Sequence, residues 1–129
     1  PYKVAVKGYN LKNIEEAEFV LQFPVELLRV AGGQLGVERG QALAAVLTTT
    51  GEKVPMHVEI DPVQGLIRIK ITQLSQIGAA RLTGNLCAVR FLAIDEGSGV
   101  MWLHSARLTT SGGQVIELGT TELPVTIGN

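Results

Sequence analysis

Residues 54–72 read VPMHVEIDPVQGLIRIKIT. Val54, Met56, Val58 and Ile60 recur at every second position, with His57 and Glu59 between them. The same period returns after DPVQG, where Ile67, Ile69 and Ile71 alternate with Arg68, Lys70 and Thr72. Successive strand side chains point to opposite faces, so this spacing predicts two strands, each with one apolar and one polar side. Between them, Pro62 fixes its own φ and Gly65 tolerates a positive one, which marks a reversal. The reading is a hairpin lying over a core on one face only.

The pattern spreads outward from there. KVAVK (Lys3 to Lys7) alternates and stops at Gly8, and AEFVLQF places Ala17, Phe19, Leu21 and Phe23 opposite Glu18, Val20 and Gln22. Pro24 ends that strand, and Leu27 to Val30 forms another before Gly32-Gly33. GVERGQALAAVL (36–47) contains good helix formers, with a strand ending at Thr48-Thr49-Thr50 as the competing reading. Leu86 to Ile94, a turn at EGSG, Val100 to Leu108, a turn at SGGQ, Val115 to Leu118 and PVTI complete the series. Eight or nine short strands with glycine-rich turns predict an all-β, antiparallel sandwich.

The chain has 129 residues, 46% hydrophobic and 18% charged, which fits one domain spanning 1–129. A formal charge of −1 and the absence of a lysine or arginine run argue against nucleic acid. No apolar run approaches the ~20 residues that span a bilayer as a helix. One cysteine cannot form an internal disulfide and leaves the compartment open. The chain starts at Pro1 without methionine, which fits an excised segment with any targeting sequence upstream.

Gly84 to His104, GNLCAVRFLAIDEGSGVMWLH, gathers the sole cysteine, the sole tryptophan and one of two histidines. In a plain hairpin Cys87 and His104 would stand four residues apart along the ladder, about 13 Å, where a nucleophile and its base need about 3 Å. Cys87 shares parity with Val89 and Phe91, so it reads as a small buried hydrophobe. No His, Cys and carboxylate set has metal-ligand spacing around His57 or His104. Glu15-Glu16 and Asp95-Glu96 read as solvated turns, and EGSG lacks the lysine and the strand–helix setting of a phosphate loop. The expectation is a protein without catalytic, cofactor or metal sites.

Three motifs in order resemble those of cohesin domains. AEFVLQF followed by ELLRVAGGQL resembles an alternating cohesin strand, a reversal and a glycine-bearing loop. VEIDPVQGLIRIKIT resembles the cohesin hairpin with its isoleucine-rich strand, and LTGNLCAVRFLAIDEGSGVMWLHSARLTTSGGQVI resembles the closing signature. LSQIGAARLTGNLCAVRF is closest in style to modules appended to bacterial secretin-type envelope proteins. The family's Tyr-Asp-Pro is reduced to Phe23-Pro24, its small-residue turn reads Thr83-Gly84-Asn85, and its first strand has no counterpart, since KVAVK matches the second.

The resemblance implies a jelly-roll sandwich outside the cytoplasm, extracellular or in the cell envelope, that binds a dockerin or another protein through one sheet. Any calcium would then belong to the dockerin. The outward positions on the matching strands are Glu16, Glu18, Val20 and Gln22; His57 and Glu59; Arg68, Lys70 and Thr72; and Trp102 and His104. An ordinary solvated face explains most of these equally well. An outward tryptophan is less ordinary, being a frequent anchor of protein interfaces. The alternatives are a structural module of a secretion or pilus assembly and a carbohydrate-binding module. For the latter, one tryptophan is a sparse platform. An absent first strand would also leave a sheet edge open to strand exchange between copies.

Overall fold

The computed structural model describes residues 2–11, 13–44, 51, 53–74, 82–118 and 120–128. The hairpin that decided the fold is present: β5 (Met56–Asp61) and β6 (Leu66–Ile71) pair antiparallel with Val58 opposite Ile69. Ile67, Ile69 and Ile71 are fully buried, while His57, Glu59 and Arg68 are exposed. Asp61 Oδ1 accepts hydrogen bonds from the Val63 and Gln64 amides at 3.1 Å, which fixes the turn. Gly65 closes it at φ 73°, and its carbonyl accepts the Phe23 amide at 2.9 Å. A Cβ there would meet Phe23 O at 2.4 Å. Gly65→Ala is therefore expected to lose about 1–3 kcal/mol of stability, measured by urea unfolding, because left-handed strain and a backbone clash act together.

Among the described residues ten strands form two antiparallel sheets. Besides β5 and β6 these are β1 (Tyr2–Leu11), β2 (Ile14–Gln22), β3 (Leu28–Val30), β4 (Val37–Arg39), β7 (Leu82–Ala93), β8 (Gly97–Thr110), β9 (Val115–Leu118) and β10 (Thr121–Ile127). One sheet runs β1-β7-β3, with β4 also on β7; the other runs β10-β8-β2-β6-β5, with β9 also on β8. The count exceeds the expected eight or nine because one edge is split into β3 and β4 by a 3-10 turn at Gly33–Gly36. The helical reading of 36–47 survives as one turn, α1 (Gln41–Ala44); residues 45–50, with the competing strand, lie outside the described residues. The inner faces meet in one core that includes Phe19, Phe23, Ile69, Phe91 and Met101.

Several sequence expectations are corrected. Glu15-Glu16 and Thr83-Gly84-Asn85 are not turns but lie within β2 and β7. EGSG is not a turn: Gly97, Ser98 and Gly99 lie in β8, paired with Ile127, Thr126 and Val125. These glycines serve close packing, since a Cβ at Gly97 would lie 3.0 Å from Leu27 Cδ2 and one at Gly99 3.1 Å from Pro24 Cβ. The first strand does not stop at Gly8 but continues to Leu11, with register shifts after Val6 and Gly8.

Candidate partner-binding face

The outer face of the larger sheet is organised by β2, which has β6 on one side and β8 on the other. Ala17, Phe19 and Leu21 turn into the core, so Glu16, Glu18, Val20 and Gln22 face out. Register then aligns the outward residues in rows across the strands. One row reads Glu122, Trp102, Gln22, Leu66, Asp61. The next reads Ser105, Val20, Arg68, Glu59, and the third reads Glu117, Arg107, Glu18, Lys70, His57. From Glu117 to Lys70 acidic and basic side chains alternate, so each of these charges has at least one opposite neighbour, and His57 ends the row beside Lys70.

Trp102 and His104 owe their geometry to a bulge. Val20 pairs with Ser105 and Leu21 with Leu103, leaving His104 without an opposite residue. The extra residue lets Trp102, His104 and Ser105 share the outer side before parity resumes at Ala106. The Trp102 and His104 rings stack with centroids 6.0 Å apart and planes 8° from parallel. His104 Nε2 is hydrogen-bonded to Gln22 Oε1, tying the stack to β2. Beside Trp102, a cleft of about 290 Å³ runs along Gln22, Val25, Glu26, Gln64 and Val100.

Charge on this face is loosely committed. Lys70 lies 3.8 Å from Glu16, and Arg107 donates to Glu117 at 2.7 Å, all four side chains being well exposed. Surface pairs of this kind contribute about 0–1 kcal/mol, so they can exchange for a partner's charges at little cost. A nine-residue strand at ~3.4 Å per residue and five strands ~4.8 Å apart outline roughly 700 Å². That is close to the ~800 Å² each side contributes to a standard protein interface.

All the outward residues expected on β2, β5, β6 and β8 share this one face, and Thr72 follows directly after β6. Arg107, Glu117 and Glu122 also lie on it and were missed. Plain alternation from Trp102 turns Arg107 inward, and only the bulge reverses that. The signal was present in WLHSARL, where Ala106 and Leu108 flank a charged Arg107.

The Cys87–His104 pair is separated by the fold. Cys87 is fully buried on β7 of the smaller sheet, opposite Val6 of β1, and burial pushes its thiol up to about 12. His104 lies on the outside of the other sheet, so the two side chains share no site. Among the described residues, no three His, Cys, Asp or Glu side chains gather as a metal site. No described helix is long and apolar enough to cross a membrane.

No family model and no curated protein sequence matches the chain. Solved structures do. A type II cohesin dyad from the adaptor scaffoldin of Acetivibrio cellulolyticus superposes with TM-score 0.76 at 12% identity, covering 98% of this chain and 43% of that one. The chain thus spans less than half of the dyad. A non-cellulosomal cohesin from the archaeon Archaeoglobus fulgidus gives TM-score 0.64 at 14% identity, over 98% of this chain and 80% of that one. A type II cohesin–X-dockerin complex from Acetivibrio cellulolyticus gives TM-score 0.65 at 13% identity, covering 88% and 80%. Two antiparallel sheets that superpose on these neighbours at such low identity show the fold, which is that of a cohesin-like domain.

Proposed function

We propose that this domain is a non-catalytic protein–protein interaction module whose partner docks on the outer face of the larger sheet. The observation that supports this most is the Trp102–His104 stack, pinned to Gln22 and ringed by exchangeable charges on Glu18, Arg68, Lys70 and Arg107. A rigid aromatic loses little entropy on docking, and charged neighbours add register and specificity. The partner class we infer is a dockerin, since one structural neighbour is a cohesin in complex with an X-dockerin. Calcium in such a complex belongs to the dockerin. The neighbours from cellulosomes also support work outside the cytoplasm.

The test is calorimetric titration of the domain with a panel of calcium-loaded dockerins. We expect saturable binding by at least one, weakened about 30-fold by Trp102→Ala, as for a hot-spot residue worth about 2 kcal/mol. Arg68→Glu should weaken it as well, and Lys3→Glu on the opposite sheet should not. A binder indifferent to both face variants, with both folded, refutes the face. Failure of every dockerin to bind refutes the partner class alone.

A further inference from the structure

The cleft beside Trp102 is chemically more specific than the face around it. Phe23 and Pro24 are buried beneath it, while Val25, Glu26 and Gln64 stand exposed at its rim. Val100 lines it and His104 does not, so it meets the Trp102 indole from the side away from the imidazole stack. At about 290 Å³ it lies at the lower limit of small-molecule sites, which run ~300–1,000 Å³, and suits one inserted side chain. Charge narrows the choice. The first row of the face, Glu122, Trp102, Gln22, Leu66 and Asp61, carries with Glu26 three carboxylates and no cation. Asp61 accepts its turn amides, but among the described residues Glu26 and Glu122 have no ion pair. The Ile94 amide donates to Leu27 O at 2.8 Å, which brings Asp95 and Glu96 to the same end. The cations closest in register are Arg68 in the second row and Arg29 on β3, and neither is paired with Glu26. The second and third rows, by contrast, balance acid against base.

We propose that this cleft receives an arginine side chain of the docked partner, its guanidinium stacked on the Trp102 indole and hydrogen-bonded to the Glu26 carboxylate. The inference rests on the outer face being the docking face and names what the partner presents there. A planar guanidinium stacks flat on an indole while its N–H groups donate sideways, to both carboxylate oxygens of Glu26 and to the Gln64 amide oxygen. A lysine ammonium is a point charge without that plane. Val25 and Val100 give the aliphatic stem an apolar wall on each side. Glu122, opposite Trp102 on β10, adds negative potential from the far side of the ring. The stack with His104, itself tied to Gln22, holds the indole in place before the partner arrives, so little order is lost on docking.

Trp102 is the sole tryptophan, so its fluorescence reports the cleft directly. The probe is acetyl-Ala-Arg-Ala amide, titrated at low ionic strength. A saturable change is expected with a half-point of about 10 mM or below, as for one cation–aromatic contact supported by an exposed ion pair. The citrulline peptide, equal in shape but neutral, should bind roughly fivefold more weakly, and the lysine peptide roughly threefold. Glu26→Gln should weaken the arginine peptide roughly fivefold. Glu38→Gln, the same charge change on the opposite sheet, should leave it unaltered. In nitrogen-15-labelled protein the peptide should shift the Gln64 and Val100 amide resonances, and Trp102→Ala should abolish those shifts. No saturable change, equal binding of the citrulline peptide, or equal binding by Glu26→Gln overturns the proposal. The docking face is tested apart from it. A dockerin weakened by Trp102→Ala but indifferent to Glu26→Gln keeps the face and overturns the arginine site. Arginine-peptide binding without any dockerin binding supports the site and removes only that partner class.

Discussion

Phe91→Ala is expected to remove about 3–5 kcal/mol of stability, the range for truncating a buried phenylalanine. The residue is fully buried near the C-terminal end of β7, the strand that holds the smaller sheet together. Tyr2 of β1 lies on one side of it and Val30 of β3 on the other. Its ring packs on Phe23 at 5.3 Å between centroids, tilted 57°, which links β7 to the end of β2 in the opposite sheet. Truncation thus opens a cavity where both sheets and three strands of one sheet meet. Backbone pairing on either side of β7 limits how far the site can collapse, so the cavity term persists. Domains of this size have about 5–15 kcal/mol in total, so the variant sits near the edge of folding. With a urea slope of about 2 kcal/mol/M, the midpoint should fall by roughly 2 M. A loss below about 1 kcal/mol would show that β7 is not the structural centre of the fold.

The sequence was most legible where side-chain identity alone sets orientation. In β5 and β6 the partner strands have matching alternation, so parity, turn and burial could all be read from LIRIKIT and DPVQG. It was least legible where orientation depends on a pairing partner. The bulge at His104 arises from the register between β8 and β2, and it returns Ala106 and Leu108 to the core while turning Arg107 out. Within β8, SARL shows that parity has switched by Ala106, and only the register with β2 places the switch at His104. Gly97 and Gly99 show a related limit: glycine is needed in both turns and tight packing, and only the approach of Leu27 and Pro24 decides between them. The candidate face follows the same division, with its β2, β5 and β6 residues read directly and Arg107, Glu117 and Glu122 supplied by register.

Raising the pH from 8 to 11 should cost the wild-type domain stability that a Cys87→Ala variant keeps. The cause is burial: the thiol rises from an ordinary 9.0 to about 12, with the Val6 backbone hydrogen bond a smaller, opposing influence. Below pH 9 folded and unfolded chains both hold the proton, and the group adds no pH dependence. Between 9 and 12 the unfolded chain releases it while the native chain retains it. The native state then binds more protons, so stability falls with rising pH, by about 1.4 kcal/mol per unit at most. The loss is on the order of 3 kcal/mol at pH 11 and levels off above 12, where both states are ionised. Tyrosines and lysines also titrate here, but they are common to both proteins and cancel in the comparison. Cys87→Ala leaves a small void worth about 1 kcal/mol, so wild type should be the more stable at pH 8. The urea-unfolding free energies should cross before pH 11, with the variant ahead beyond that point. Parallel curves across this range would mean that water reaches the thiol and that β1 and β7 do not seal this part of the core.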